Sequence, residues 1–397
     1  MTETTTEEGA RTGGVVTVVA VVMLSACVAP AFGRFTWGVV LPDARDDLLG
    51  GSNALAGFFA TLNVTAYLAG TVLVAWASTR MTLVGLKRTG LAVSTSALAV
   101  AAFAPSGPVL GFALVAMGVG GAVIWIPAPA IVARRLPAAR AGLAVGLVGS
   151  GIGVGLVFAG QMAAFLRRGT DADDIWRTLY RIELGVALVV LVATFTLLRS
   201  AGDRPGVGGG LGGFGALRTV RNWVPLTVAY ASFGFAYILV IGFLVARLED
   251  DAGFTSGEAA AMFSLVGVAT AAGGLTIGSL SDRIGRRLTL VGGFTVFAAS
   301  TMLVLTGEQP WVAIAALGVG LTFSGMPSLI IAHLVDHTDV DTYGPAFSAA
   351  TLAFGVTQMV SPQIGGLVAD AAGSFTPVFA LSAAISSVGA VAASRLR

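Results

Sequence analysis

The sequence predicts an all-α membrane protein of twelve transmembrane helices, folded as two pseudo-symmetric six-helix bundles. Three observations predict it. The 397 residues are 55% hydrophobic and only 11% charged, with a mean hydropathy of +0.87, whereas soluble domains carry about 25% charge. The apolar runs recur near the ~20-residue length that crosses a hydrocarbon layer as helix. The chain also repeats itself: shifted by 203 residues, Arg80 falls on Arg283, Gly90 on Gly293 and Val93 on Val296, and the fifth run falls on the eleventh. Internal repeats of this kind mark paired helical bundles with a site between them.

Residues 1–13 are polar and partly acidic (Glu3, Glu7, Glu8) and read as a cytoplasmic N-terminal tail. The run behind them is too long for a signal peptide and lacks a small-residue cleavage pattern, so it reads as the first helix. Apolar runs at 14–41, 53–78, 89–104, 108–133, 141–166 and 177–198 make the first bundle, 14–198. Residues 199–221, with Gly206, Gly208, Gly209, Gly210, Gly212 and Gly213, read as a flexible cytoplasmic linker. Runs at 222–247, 257–281, 288–306, 311–333, 344–369 and 376–395 make the second bundle, 222–397. Ser52-Asn53 can cap the second helix, and Thr255-Ser-Gly-Glu258 is a capping box for the eighth. Pro345 and Pro377 fall in first turns, where a missing N–H costs little. Pro127 and Pro129 release carbonyls in the fourth helix and allow it to bend. Gly149, Gly151, Gly153 and Gly155 let the fifth helix lie close against a neighbour.

Charge sets the orientation. Of 23 Lys and Arg residues, 16 fall on the side of the two termini, and Lys and Arg concentrate on the cytoplasmic side. Both termini are therefore expected in the cytoplasm of a multi-pass cell-membrane protein. A formal net charge of +2 suggests no nucleic-acid partner. The single Cys27 excludes an intramolecular disulfide. No G-x-x-x-x-G-K loop, Cys/His cluster or Ser–His–Asp set is present, so the chain is expected not to be an enzyme, to use no cofactor or metal, and to work as a monomer.

The polar turn Gly278-Ser-Leu-Ser-Asp282-Arg283-Ile-Gly285-Arg286-Arg287 resembles the G-x-x-x-D-R-x-G-R-[RK] loop of the major facilitator superfamily of transporters. Gly278 would allow close helix approach, Asp282 would face a helix N-terminus, and Gly285 would supply the turn. The first-bundle copy has decayed to Ala75, Thr79 and Leu83-Val84 at the matching positions. The stretch from Arg134-Arg135 through Arg140 to Gly155 is similar, more weakly, to monocarboxylate and oxalate carriers and their bacterial relatives. The resemblance implies alternating access, with the bundles rocking around a small molecule. It also implies a cavity lined from the first, fourth, seventh and tenth helices by Trp37, Trp125, Tyr230, Tyr237, Ser324 and Met326. Asn63, Tyr67, Gln161, Gln358 and Gln363 would flank it. By the same analogy Arg80, Lys87 and Arg88 would face Asp336, Asp339 and Asp341, and Asp282 would lie near Arg140.

Ionisable groups inside a span are functional candidates. Arg34, in Phe32-Gly-Arg34-Phe-Thr-Trp37, keeps its charge and suits a carboxylate held bidentately. The competing reading pairs it with Glu183 at similar depth, for which Arg181 competes. Glu183 and His333 are the proton-coupling candidates. The favoured activity is secondary transport of an organic anion with protons by symport. One feature counts against the anion reading, since the eighth helix carries no charge between Glu258 and Asp282 where the similar carriers place a second cation, and one counts against drug efflux, since the fifth lacks the G-P pair of drug–proton antiporters. Proton-driven efflux of an apolar, drug-like compound and a non-transporting membrane sensor remain open.

Overall fold

The computed structural model describes residues 2–133, 141–168, 174–199 and 214–396; side chains are described from residue 14, excepting 133, 141–145, 214, 340 and 341. Arg134, Arg135, Arg140 and most of the Gly-rich linker lie outside the described residues. Eleven helices are long and apolar enough to cross a membrane, among the described residues. In chain order they and a twelfth are α1 (Gly14–Leu48), α2 (Asn53–Ala77), α3 (Leu83–Ala102), α4 (Gly107–Val132), α5 (Ala141–Leu166), α6 (Ile175–Leu197), α7 (Trp223–Asp251), α8 (Ser256–Ile284), α9 (Arg286–Val304), α10 (Trp311–Asp336), α11 (Val340–Ala372) and α12 (Thr376–Ser394). The twelfth is α3, whose 20 residues include Lys87 and Arg88.

α3 corrects one expectation. Its first turn starts at Leu83, with the Thr82 hydroxyl accepting from Gly85 N at 3.0 Å. Lys87 and Arg88 therefore lie inside a helix and not in a loop facing the aspartates. Lys87 is fully buried, and its Nζ donates to the Ile124 carbonyl at 3.3 Å. That carbonyl sits just before the break in α4 at Ile126–Pro127, where a proline disturbs the backbone ladder. Arg88 donates to the Phe195 and Leu198 carbonyls at the end of α6, at 3.0 and 2.7 Å. Both cations close helix ends within their own bundle.

The bundles meet along α2 with α11 and α5 with α8. Small residues make this possible: a Cβ on Gly153 would lie 2.5 Å from Ala271 N, and one on Gly57 2.2 Å from the Pro362 carbonyl. α1 and α7 meet at the end away from the chain termini, called here the distal end. There a Cβ on Gly38 would stand 2.4 Å from the Ile241 carbonyl. Gly38→Ala should therefore push this end apart, read as a longer spin-label distance between Leu55→Cys on α2 and Trp311→Cys on α10.

Hydropathy ended the first and seventh runs too early. α1 reaches Leu48 and α7 reaches Asp251, because their polar last turns are held by partners across the bundle interface. α1 also changes pitch midway. Cys27–Phe35 is π-helical and contains Pro30, a widening that recurs at functional sites. Arg34 lies in this stretch.

Candidate functional site

Arg34 is built into place by its neighbours. The Asn63 amide donates to the carbonyls of Gly33 (2.8 Å) and Leu114 (2.7 Å), tying α2 to α1 and α4. Both of its donors are thereby used, and its oxygen accepts from Arg34 Nε at 3.4 Å. The guanidinium lies over the Tyr67 ring, 4.2 Å from the centroid, a cation–π contact that strengthens where water is scarce. Phe35, next to Arg34, packs edge-on against Phe323 of α10 at 5.3 Å, and the Phe323 ring lies 5.1 Å from that of Tyr237 of α7. Two cavities meet at Arg34. The distal one is lined by Trp37, Leu41, Ile238 and Phe243, the other by Pro30, Tyr67 and Met117. Among the described residues, Arg34 is the one charged side chain lining either of them.

The expected partner is engaged elsewhere. Glu183 is fully buried, and its Oε1 accepts from the Thr36 hydroxyl at 2.6 Å while Oε2 has no partner. Arg181 pairs with Asp174 at 2.9 Å. So neither Arg34 nor Arg181 takes up Glu183, and Tyr180, one turn before it, also has a hydroxyl without a partner.

Tyr237 belongs to an aromatic wall in the second bundle, 5.2 Å from Phe233, 5.1 Å from Phe323 and 6.0 Å from Phe354 between centroids. Gln358 of α11 donates from Nε2 to its hydroxyl. Tyr230 stacks on Phe354 at 4.3 Å. Trp37 lines the distal cavity and donates to the Ala56 carbonyl at 3.2 Å. Other candidates lie apart. Trp125 packs against the apolar cluster of Val18, Leu83 and Ile131. Gln161 is exposed. Ser324 donates to the Thr270 carbonyl at 2.7 Å, joining α10 to α8, and Met326 is buried beside Gly293. Gln363 keeps a buried amide oxygen without a partner. His333 is buried near the end of α10, its ring 4.2 Å from that of His337 and its Nε2 without a partner.

The Gly278–Arg287 turn works within its own bundle. Gly285, at φ +89°, separates α8 from α9. Arg286 bridges Asp282 (2.6 Å) and Asp336 (3.2 Å) and also binds Ser281. Those two aspartates are thus held by Arg286 and not by the first bundle, while Arg80 lies over Trp76 at 4.1 Å. Arg140 and the Asp341 side chain lie outside the described residues. A Cβ on Gly278 would meet open space, so the close approach expected there is not made. Arg283 and Arg287 are exposed.

The distal end carries a seal that the hydropathy reading missed. Arg45 binds Asp250 at 2.5 Å and Asn53 at 2.8 Å. Arg167, 4% exposed, binds Asp43, Glu249 at 3.4 Å and the Ser256 carbonyl at 3.0 Å. Asp370 of α11 accepts from Asn53 N (2.9 Å), Ala54 N (2.8 Å) and the Ser52 hydroxyl (3.1 Å), capping α2 from the other bundle. One signal was present: the same 203-residue shift places Asp46-Asp47 on Glu249-Asp250.

Twelve long helices among the described residues, in two bundles with a cavity between them, define a membrane transporter of the major facilitator type. The family described as "Uncharacterised MFS-type transporter YbfB" matches residues 26–394, and the chain belongs to it. Among solved structures, the nucleoside transporter NupG superimposes with a TM-score of 0.79 at 13% identity, covering 96% of this chain and 98% of that one. A D-xylose–proton symporter superimposes with a TM-score of 0.75 at 16% identity, covering 96% and 97%. At such identities the likeness is one of fold. The protein ZINC INDUCED FACILITATOR-LIKE 1 of Arabidopsis thaliana is 29% identical over 148 residues, which cover 37% of this chain and 30% of the relative's length.

Proposed function

We propose that the chain moves an organic anion together with protons, by symport, through alternating access around Arg34. The observation that carries this reading is a cation between two apolar cavities with no carboxylate paired to it among the described residues. An intramembrane charge is costly unless it has a task or a partner. Glu183 is the proton site in this reading: it is buried, bound on one oxygen only and close along α1 to Arg34 through Thr36. A solved neighbour described as a proton symporter is consistent with such coupling. The termini face the cytoplasm, following the Lys and Arg bias, and the sealed distal end faces outward. The aromatic wall around Tyr237 supports a second reading, efflux of an apolar compound by proton exchange.

Uptake and counterflow in proteoliposomes with a panel of carboxylates, with and without a pH gradient, tests the first reading. Accumulation should rise with an inward proton gradient. Glu183→Gln should keep counterflow and lose gradient-driven accumulation. If no carboxylate is exchanged by the wild type, the anion reading fails.

A further inference from the structure

Thr36 stands between the buried acid and the cation. It lies two residues after Arg34 and is fully buried. Its hydroxyl donates to Glu183 Oε1 at 2.6 Å, joining α1 to α6. Its backbone N–H donates to the Ala31 carbonyl, five residues back, and regular α pitch resumes at this residue. One residue therefore carries both the tie to the acid and the closing bond of the wide stretch that holds Arg34. Pro30 can open that stretch, since a proline has no N–H to give. It does not decide where the stretch closes.

The second bundle supplies the comparison. The 203-residue shift places Glu183 on Ser386 and Thr36 on Leu239. Ser386 bonds back to the Ser382 carbonyl of its own helix at 2.8 Å, and a leucine has no side-chain donor. The matching part of α7, residues 230–238, is regular α-helix. The wide pitch occurs where the acid and the hydroxyl occur, and is missing where both are missing.

Helices α1, α3 and α5 pack against α6. Among the described residues their titratable and charged groups are engaged away from Glu183. Cys27 binds the Gly151 carbonyl, Arg34 binds Asn63, and Lys87 and Arg88 bind carbonyls of α4 and α6. The last turns of α1 pair Asp43 with Arg167, Arg45 with Asp46 and Asp250, and Asp47 with Arg177. Helix α5 carries no Asp, Glu, Lys, Arg or His. On α6 itself Arg177 and Arg181 pair with Asp174. Tyr180 remains, one turn before Glu183, where residues share a helix face.

We infer that Thr36 is a positioning residue that passes the proton state of Glu183 to Arg34 through the pitch of α1. This rests on the reading of Glu183 as the proton site. A carboxylate holds a hydroxyl about twice as strongly as a neutral acid does. A proton from water that binds a Glu183 oxygen neutralises the carboxylate and loosens its grip on Thr36; its return to water restores that grip. Once loosened, Thr36 lets the wide stretch tighten to ordinary pitch, and Arg34, inside that stretch, turns with it.

The Tyr67 ring reports the outcome, because the Arg34 guanidinium lies over it, 4.2 Å from the centroid. The chain has five tyrosines. Fluorine NMR of the purified full chain carrying 3-fluorotyrosine can follow them from about pH 5 to about pH 9, with two signals assigned by Tyr67→Phe and Tyr180→Phe. Both signals should shift with pH, and Glu183→Gln should remove a common step from both. In Thr36→Val the Tyr180 signal should keep that step and the Tyr67 signal should lose it. Thr36→Ala takes its place should Thr36→Val not fold. Thr36→Ser, which keeps the hydroxyl, should retain the step in both signals. A Tyr67 step that survives removal of the hydroxyl, or is lost in Thr36→Ser, would overturn the inference. So would loss of the Tyr180 step in Thr36→Val, since Thr36 would then set Glu183 instead of relaying its state. A wild-type step in Tyr180 without one in Tyr67 would overturn the relay and leave the proton reading intact. If Glu183→Gln removes no step from either signal, the proton reading fails and this inference falls with it.

Discussion

Arg34→Gln is expected to lower carboxylate affinity by about 30-fold or more, because truncating a hydrogen-bonded charge contact in a desolvated site costs about 2–5 kcal/mol. Helix α1 should tolerate the change. Gln is a good helix former, and the residue is half-buried beside two cavities. The contacts of Asn63 to the Gly33 and Leu114 carbonyls do not depend on the guanidinium. Binding of an uncharged compound of the same shape should change far less, which separates loss of charge from loss of structure. Isothermal titration of benzoate and benzamide against both proteins makes the comparison. Equal losses for both compounds would point to a damaged fold; no loss for either would remove Arg34 from the site.

The second large effect is expected at the distal seal. Arg167→Gln leaves Asp43 and Glu249 facing each other across the bundle interface without their cation. Arg167 is 4% exposed, Glu249 12% and Asp43 29%, so this pair lies between the exposed and the buried case. Exposed pairs contribute ~0–1 kcal/mol, whereas breaking a buried one costs ~3–5 kcal/mol. A figure of about 2 kcal/mol corresponds to a roughly 30-fold change in an equilibrium constant. The cost falls only on the state in which the distal end is shut, so the change should move the population toward the distally open state. Spin labels at Leu55→Cys and Trp311→Cys should report a longer distance in a larger fraction of molecules. An unchanged distribution would mean that the seal does not bias the equilibrium.

Much of the architecture was legible from composition and periodicity, because a bilayer span declares itself by an unbroken apolar run. The twelve long helices among the described residues and their pairing into two bundles are of this kind, whereas the turn at Gly285 was legible from the Gly278–Arg287 motif. What escaped was polar. Asp43, Arg45 and Glu249 ended apolar runs on hydropathy grounds, yet they continue α1 and α7 because their charges are matched across the interface. Lys87 looked like a loop cation, and its burial depends on the Ile124 carbonyl beside the α4 break, a contact between helices that no window along one helix contains. Arg34 was legible as an isolated charge in a span. Its freedom from Glu183 was not, since depth alone made the two plausible partners and only the packing directs Glu183 toward Thr36. Trp125 and Ser324 show the converse: residue type suggested a cavity wall, and packing uses one as filling and the other as a tie between helices. Asp370 had no local signature at all, because it caps a helix more than 300 residues away in sequence.

The central claim is that the bundles exchange which end is shut while Arg34 stays between them. Double-label distance measurements test it most directly, with Cys27→Ser removing the single native thiol. One pair, Leu55→Cys with Trp311→Cys, spans the distal end; the other, Thr79→Cys with Leu288→Cys, spans the end that carries the termini. The account predicts opposed changes: on introducing Arg167→Gln, the distal distance lengthens in part of the population as the other shortens. Two fixed distances, indifferent to the substitution, would contradict it.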